Sequence, residues 1–331
     1  MRQRAPAGHR QCGGAGRELT ARGDPDLLII AILNRDGGTL RTMDLDAFSA
    51  MAIDVFARHG HQLDCQVVAG DKVEGALRAA ARGGQADAVL AGGGDGTIST
   101  AAGIAYETGM PLAVLPVGTM NLFARALKVP LVLSEALEAL AGGEIGRVDI
   151  ATANGRPFVY QFGVGIHARL VRIRDGMHYS SRWGKMLASL RAVAAAAIDP
   201  PRFEVEIGAG EGVERRRVSG IAVSNNPLGE GQIHADSLDR GLLGVYVADP
   251  VSTAGLLQLA AGLVTGRWRA HPMVSEQEVA EVTLRFPRHK RSSRAVIDGE
   301  LIRLDPSVEL KVHPGGLKVV LPRLPAGEEI V

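Results

Sequence analysis

Cysteine is scarce in this 331-residue chain, which contains only Cys12 and Cys65. Two cysteines are too few for a disulfide framework or a cysteine-rich zinc site, so a reducing compartment is expected. Long apolar runs are missing as well, because the longest, residues 27–33, is far shorter than the roughly 20 residues that cross a membrane. We therefore expect a cytoplasmic protein without a membrane span.

Neither sign of charge is in excess, because 37 Lys and Arg residues stand against 36 Asp and Glu residues. The net charge of +1 gives no global basic field, so nucleic acid is not an expected partner. Basic residues cluster locally at residues 215–217 and 288–294. We interpret both runs as solvated loops, with contact to an anionic surface as the alternative.

Residues 25–145 alternate short apolar segments with longer amphipathic ones. Strands are predicted at residues 27–33, 63–68, 88–91 and 112–115, with helices at 73–82 and 98–106 between them. Apolar strands that alternate with helices indicate a parallel sheet covered by helices. Residues 1–24 are rich in glycine and arginine and are predicted to form a disordered tail.

Residues 146–325 have a different pattern, in which short strands are separated by turn residues. The pair Asn154-Gly155 is typical of a tight β-hairpin. A β-rich antiparallel second domain is therefore predicted, whose last strands return to the first domain. Its helices are expected at residues 183–198 and 254–263, and its strands at 148–153, 158–162, 203–207, 218–224, 243–247, 279–286, 295–297 and 308–312.

A glycine-rich loop joins the third predicted strand to the helix that follows it. Glycines at the start of a helix let backbone N–H groups approach phosphate oxygens. An acid among them would repel phosphate unless a metal stood between, so Asp95 is a candidate Mg²⁺ partner. A tight turn in which Asp95 caps the helix is the alternative. The loop consists of Gly92, Gly93, Gly94, Asp95, Gly96 and Thr97.

Two further polar loops follow neighbouring strands. Gly118, Thr119 and Asn121 come after the strand at 112–115, and Asn34 ends the first strand. Thr119 can cap the next helix or bind a nucleotide through its hydroxyl. In open α/β sheets ligands bind in the crevice at the carboxyl ends of the strands. We therefore expect these loops to bind a nucleotide.

The pair of motifs GGGDGT at residues 92–97 and PVGTMNLFARAL at residues 116–127 resembles the diacylglycerol kinase catalytic domain family. That family includes bacterial soluble lipid kinases and the sphingosine and ceramide kinases. The likeness continues at residues 146–149, at 162–165 and in the D-G-E motif at 298–300. It implies an α/β N-terminal domain like that of NAD kinase and phosphofructokinase, a β-rich antiparallel C-terminal domain, and a nucleotide bound between them.

The resemblance also implies an activity and the residues that perform it. An ATP-dependent lipid kinase that uses Mg²⁺ is expected, with Asp298 as the catalytic base ahead of Glu300. Asp95 and Asp149 are the expected metal partners. The expected partners are a lipid substrate, a transiently contacted membrane surface at the inner face, and a second copy of the chain in a homodimer.

Several positions depart from the family pattern. Ser99 and Thr100 replace an Asn-Glu pair, and Arg240 replaces an aspartate that helps bind a structural Mg²⁺ in bacterial members. Asp236 and Asp239 are the candidates to take over that metal site. Two other functions therefore stay open: a kinase of a soluble acceptor such as NAD, and a nucleotide- or lipid-binding homologue without catalysis.

Overall fold

A computed structural model describes residues 27–175, 200–210 and 212–323 of the chain. The predicted tail at residues 1–24, Cys12 and the predicted helix at 183–198 lie outside the described residues. Within the described part, no helix is long and apolar enough to cross a membrane.

The first half of the chain forms a mostly parallel sheet covered by helices, as predicted. Its strands lie in the order β2-β1-β3-β4, and each neighbouring pair is parallel. Strands β3 and β4 are buried along their whole length, which explains their unbroken apolar sequences. The elements are β1 (Leu28–Asn34), α1 (Leu45–Arg58), β2 (Gln62–Val68), α2 (Val73–Arg82), β3 (Ala88–Gly93), α3 (Asp95–Thr108), β4 (Leu112–Pro116), α4 (Leu122–Ala126) and α5 (Leu133–Ala141).

The second half is β-rich and antiparallel, which confirms the predicted class. In the described part, six of its strands form one sheet in the order β12-β11-β10-β7-β14-β15. The elements are β5 (Glu144–Ala153), β6 (Arg156–Phe158), β7 (Gln161–Gly165), α6 (Ile166–Asp175), β8 (Phe203–Ala209), β9 (Gly212–Val218), β10 (Gly220–Asn225), β11 (Leu243–Ala248), α7 (Thr253–Val264), β12 (Val274–Val279), β13 (Glu281–Arg285), β14 (Arg294–Ile297), β15 (Glu300–Arg303) and β16 (Ser307–Leu321).

The arginine run at residues 215–217 was predicted as a loop, and this was wrong, because it lies in strand β9. Arg215 donates to Glu204 on β8 at 2.8 Å, and Arg216 donates to Asp249 at 2.7 Å. A charged segment can occupy an exposed strand when neighbouring strands supply opposite charges. The predicted strand at 158–162 is also divided, into β6 and β7.

Strand β16 connects the two halves of the chain. It pairs with β13 near its start, with β5 along most of its length, and in parallel with β4 near its end, where Val319 faces Leu112. Ten strands drawn from both halves of the chain therefore form one continuous sheet in the described part, beside the six-stranded sheet. A shift in register between His313 and Leu317 marks a bulge in this strand.

Asp149 on β5 is buried beside that bulge, with 1% of its surface exposed. Its Oδ1 accepts from the Gly315 amide at 2.9 Å, and its Oδ2 accepts from the Gly241 amide at 2.6 Å. The backbone carbonyl of Asp149 accepts from Asn225 Nδ2 at 3.0 Å. The residue thus ties the bulge of β16 to the loop before β11 and to the end of β10.

Asp149→Asn should lower the free energy of unfolding by about 1–3 kcal/mol, because one backbone amide would face an NH₂ group in place of an oxygen. Urea denaturation measures this change. The matched control is Asp71→Asn, whose side chain is 75% exposed and should be neutral. Equal stability of the two variants would contradict a structural role for Asp149.

Candidate active site

Three polar loops meet at the carboxyl ends of β1, β3 and β4. Asn34 at the end of β1 donates from Nδ2 to Thr97 Oγ1 on α3 at 3.1 Å. The Thr39 amide in the same first loop donates to the Val117 carbonyl after β4 at 2.8 Å. The sequence prediction that these loops lie together is therefore matched by direct contacts between them.

Glycines in these loops serve two different purposes. A Cβ on Gly93 would overlap the side chain of Thr97, and one on Gly118 would lie 2.8 Å from Asn121 Oδ1 and 3.1 Å from Gly94 Cα. Glycine is needed at both positions for packing. At Gly94 and Gly96, a Cβ would meet no described atom within 4 Å. Protein packing does not require glycine there, so these two positions leave open space for a ligand.

The N-terminus of α3 faces this open space. Its N-cap is Gly94, which has no side chain to accept from the first amides of the 14-residue helix. Uncapped amides and the helix dipole together attract an anion. The open space and the uncapped helix end fit the phosphate groups of a nucleotide.

Asp95 is the first residue of α3 and is half-buried. Its Oδ1 accepts from the Leu122 amide at the start of α4 at 3.0 Å and from the Tyr160 hydroxyl at 3.3 Å. It therefore caps α4, not the helix that it begins. Its Oδ2 accepts no hydrogen bond from any described residue, so this oxygen remains available to a metal ion or a proton.

Tyr160, whose hydroxyl donates to Asp95, is itself held by packing. Its ring packs edge-on against Phe123 of α4, with the ring centroids 6.3 Å apart. Burial raises the pKa of the Tyr160 phenol well above its ordinary value, and the nearby charge of Asp95 raises it further. The phenol stays protonated at neutral pH and acts as a hydrogen-bond donor to Asp95.

The loop after β4 is stabilised by the side chain of Asn121. Asn121 has a left-handed backbone with φ of 51°, and its Oδ1 accepts from the Gly118 amide at 2.7 Å. Its Nδ2 lies 3.2 Å from the carbonyls of Pro116 and Gly118. Thr119 is exposed and does not cap α4. Asn121 therefore shapes the loop, and Thr119 is the side chain there that is open to a ligand.

Asp298 lies in the turn between β14 and β15, where its φ is 48°. Asp298 is nevertheless buried, with 8% of its surface exposed. Its Oδ2 accepts from Ser99 Oγ at 2.6 Å and from the Val159 amide at 3.0 Å. Its Oδ1 accepts from the amides of Tyr160 and Gln161, at 2.9 and 3.0 Å.

Through the Asp298 carboxylate, these four hydrogen bonds connect α3 in the first half of the chain to the end of β6 and the start of β7. Burial raises the pKa of the Asp298 carboxyl, although the four hydrogen bonds act in the opposite direction. Both oxygens are committed to the protein, and a base needs an oxygen within reach of the acceptor hydroxyl. The contacts thus commit both carboxylate oxygens of Asp298 to groups of the protein, which the sequence did not indicate.

Glu300, the second acid of the D-G-E motif, is exposed at the start of β15. Its Oε2 accepts from Arg156 Nη2 at 2.9 Å, and both side chains are at least half exposed. A surface ion pair of this kind contributes little to stability. Glu300 does not share the contacts that join Asp298 to Asp95 through Tyr160.

The predicted metal partners Asp95 and Asp149 share no hydrogen-bond partner among the described residues. Both oxygens of Asp149 accept from backbone amides, those of Gly241 and Gly315. Arg240, which replaces the aspartate of the family pattern, pairs with Glu278 on β12 at 2.7 Å. No group of three His, Cys, Asp or Glu side chains within the described residues forms a metal site. Asp95 alone therefore fits Mg²⁺, which is often held by one carboxylate together with phosphates and water.

Two members of the site, Ser99 and Tyr160, were not predicted from the sequence. Ser99 stood out only as a departure from the family pattern, and Tyr160 lay inside a predicted strand. The interruption of that strand positions the Tyr160 and Gln161 amides for Asp298, and only the fold reveals this arrangement.

Comparisons with known proteins agree with this architecture. Residues 29–153 match the family model of the diacylglycerol kinase catalytic domain. Residues 161–321 match the model of the YegS C-terminal NAD kinase beta sandwich-like domain. The crystal structure of a diacylglycerol kinase from Bacillus anthracis str. Sterne has a TM-score of 0.63 at 17% identity, over 89% of this chain and 97% of that chain. This likeness concerns the fold alone.

Two of the curated relatives described below are named diacylglycerol kinase. An uncharacterized protein of Synechocystis sp. is 30% identical over 71% of this chain and 54% of its own length. Diacylglycerol kinase of Staphylococcus saprophyticus is 26% identical over 60% of this chain and 66% of its own length. Diacylglycerol kinase of Bacillus subtilis is 27% identical over 66% of this chain and 73% of its own length. The chain thus spans about half to three quarters of the relatives that it matches. It belongs to the diacylglycerol kinase catalytic domain family.

Proposed function

We propose that this chain is an ATP-dependent lipid kinase that phosphorylates the hydroxyl of a diacylglycerol-like lipid. The uncapped start of α3, with open space at Gly94 and Gly96 and the uncommitted Oδ2 of Asp95 beside it, carries this proposal. The choice of a lipid acceptor is supported by the relatives that are named diacylglycerol kinases.

The residues present fit ATP and Mg²⁺. The amides of the first turn of α3 and the hydroxyl of Thr119 would bind phosphate and nucleotide, and Mg²⁺ would be held by the phosphates and water with the negative charge of Asp95 beside it. When bound, ATP supplies the phosphoryl group and Mg²⁺ offsets its charge, so that positioning and charge stabilisation provide most of the catalysis.

Within this proposal Asp95 takes the proton of the lipid hydroxyl, because its Oδ2 is uncommitted beside the phosphate cradle. As the hydroxyl oxygen bonds to the γ-phosphorus, the bond between that phosphorus and the bridging oxygen breaks and ADP leaves. Asp298 positions the site, since it fixes α3 through Ser99 and fixes Tyr160, which donates to Asp95. Glu300, predicted as a second base, is exposed and paired with Arg156.

A transfer assay tests the proposed function directly. The purified chain would be incubated with γ-labelled ATP and Mg²⁺, and with diacylglycerol, monoacylglycerol, sphingoid base, ceramide or NAD as the acceptor. Label in diacylglycerol or monoacylglycerol is expected. Label in NAD alone would identify a soluble acceptor. No transfer to any acceptor, with ATP binding intact, would support a homologue without catalysis.

Asp95→Asn should lower kcat by about 10²–10⁴-fold, because the amide carries no negative charge beside Mg²⁺ and cannot accept the proton. Its Oδ1 can still accept from the Leu122 amide, so the unfolding free energy should change little. Initial rates at saturating ATP and Mg²⁺, together with urea denaturation, measure the two effects. An unchanged kcat would remove Asp95 from the mechanism.

Ser99→Ala removes the hydrogen bond from α3 to Asp298. The three backbone amides that donate to Asp298 stay in place. We expect kcat to fall by about tenfold with little change in the KM for ATP, since only the alignment of α3 is lost. Ser99→Thr retains a hydroxyl and should restore the rate.

Asp298→Asn distinguishes a positioning residue from a base. If Asp298 positions the site, the substitution should cost about 2–4 kcal/mol of unfolding free energy, because backbone amides would face an NH₂ group. A variant with normal stability and a rate at least about a thousandfold lower would instead support the predicted role of Asp298 as the base.

A further inference from the structure

A groove of about 500 Å³ lies in the second half of the chain, away from the three loops of the candidate active site. It is bounded by α6, the start of β8 and the segment that joins β13 to β14. Val164, Phe203 and Phe286 contribute apolar surface, and the two phenylalanine rings lie 6.1 Å apart. The floor of the groove can therefore contact the organic part of a ligand.

The remaining lining of the groove is strongly basic. Among the described residues, seven cationic side chains and one carboxylate line it. Arg172 on α6, Arg202 before β8 and Arg217 on β9 are exposed, and none has an ion-pair partner in the described part of the chain. Helix α6 and the β8–β9 hairpin with the residue before it thus direct positive charge to one place.

A second group of cations comes from the segment before β14. Arg288, Lys290 and Arg294 line the groove together with the hydroxyls of Ser292 and Ser293. Arg288 lies 3.5 Å from Glu204, the groove's single described carboxylate. That carboxylate already accepts from Arg215 at 2.8 Å. Lys290 and Arg294, like the three arginines above, have no ion-pair partner among the described residues, so Glu204 leaves the positive charge of these five side chains unbalanced.

Crowded like charges repel one another, and this local excess of positive charge occurs in a chain whose total net charge is only +1. A bound anion would relieve the repulsion. Phosphate monoesters fit this lining, because they carry about two negative charges and present several strong acceptors to guanidinium groups and hydroxyls. We propose that the groove is a second ligand site, which binds the phosphate group of a small ester or of a lipid headgroup.

The proposed site is separate from the nucleotide loops. Strand β7 begins at Gln161, whose carbonyl accepts from the Asp298 amide at 3.0 Å, and it ends at Gly165 in the wall of the groove. The length of this strand places about 13 Å between the two ends. A ligand in the groove can therefore be bound while the nucleotide loops are occupied.

The test is a comparison of binding by three proteins, and it needs no catalytic activity. The groove variant carries Arg202→Gln, Arg217→Gln and Lys290→Gln, which removes three exposed charges without removing an ion pair seen in the described residues. The control variant carries Arg82→Gln, Arg267→Gln and Arg323→Gln, which removes three exposed charges outside the groove. The probes for calorimetric titration are inorganic phosphate, glycerol 3-phosphate and dihexanoyl phosphatidic acid.

The groove variant should bind the phosphate probe roughly a hundredfold more weakly than the wild type, while the control variant keeps the wild-type affinity. Equal binding of inorganic phosphate and the phosphatidic acid would identify a soluble ester as the ligand. Binding of the phosphatidic acid alone would identify a lipid headgroup whose chains use the apolar floor. Equal affinities for all three proteins, or no binding of any probe by the wild type, would overturn the proposal.

Discussion

Strand β16 begins beside β13 in the second half of the chain and ends beside β4 in the first. Because it also pairs with β5, the two halves cannot move apart without breaking a continuous ladder. This pairing holds the carboxyl ends of β1, β3 and β4 opposite the segment between β6 and β7. The contacts of the candidate site, which come from both halves, depend on that placement.

Asp95 and Asp298 each lie beside a glycine in a recognisable motif, but their carboxylates make different contacts. Both oxygens of Asp298 accept hydrogen bonds, from Ser99 and from three backbone amides, and these bonds connect the halves of the chain. Asp95 is held by one oxygen and leaves the other uncommitted in the described structure. The chemistry that we propose follows from this difference, since only an uncommitted oxygen can take a proton or a metal ion.

Local patterns in the sequence predicted much of the fold. The bounds of α2, residues 73–82, and the positions of β1, β3 and β4 follow from apolar periodicity, and the tight connection from β3 to α3 follows from its glycines. Long-range partners could not be predicted in the same way. In the sequence Asp298 resembles an exposed turn residue, but in the fold it accepts from Ser99, 199 positions away, and from the amides of residues 159–161. The sequence around Pro314 and Gly315 resembles the end of a strand, yet Asp149 holds it as a bulge inside β16.

In the function that we propose, the start of α3 binds the phosphates of ATP in space that glycine leaves open. Gly96→Ala tests it, with Gly75→Ala as the control, because both glycines lie in helices and a Cβ at either would meet no described atom within 4 Å. Both variants should gain about 0.5–1 kcal/mol of unfolding free energy from helix propensity. Calorimetric titration with Mg²⁺-ATP should show at least about tenfold weaker binding for Gly96→Ala and wild-type binding for Gly75→Ala. Wild-type affinity in Gly96→Ala would contradict the account.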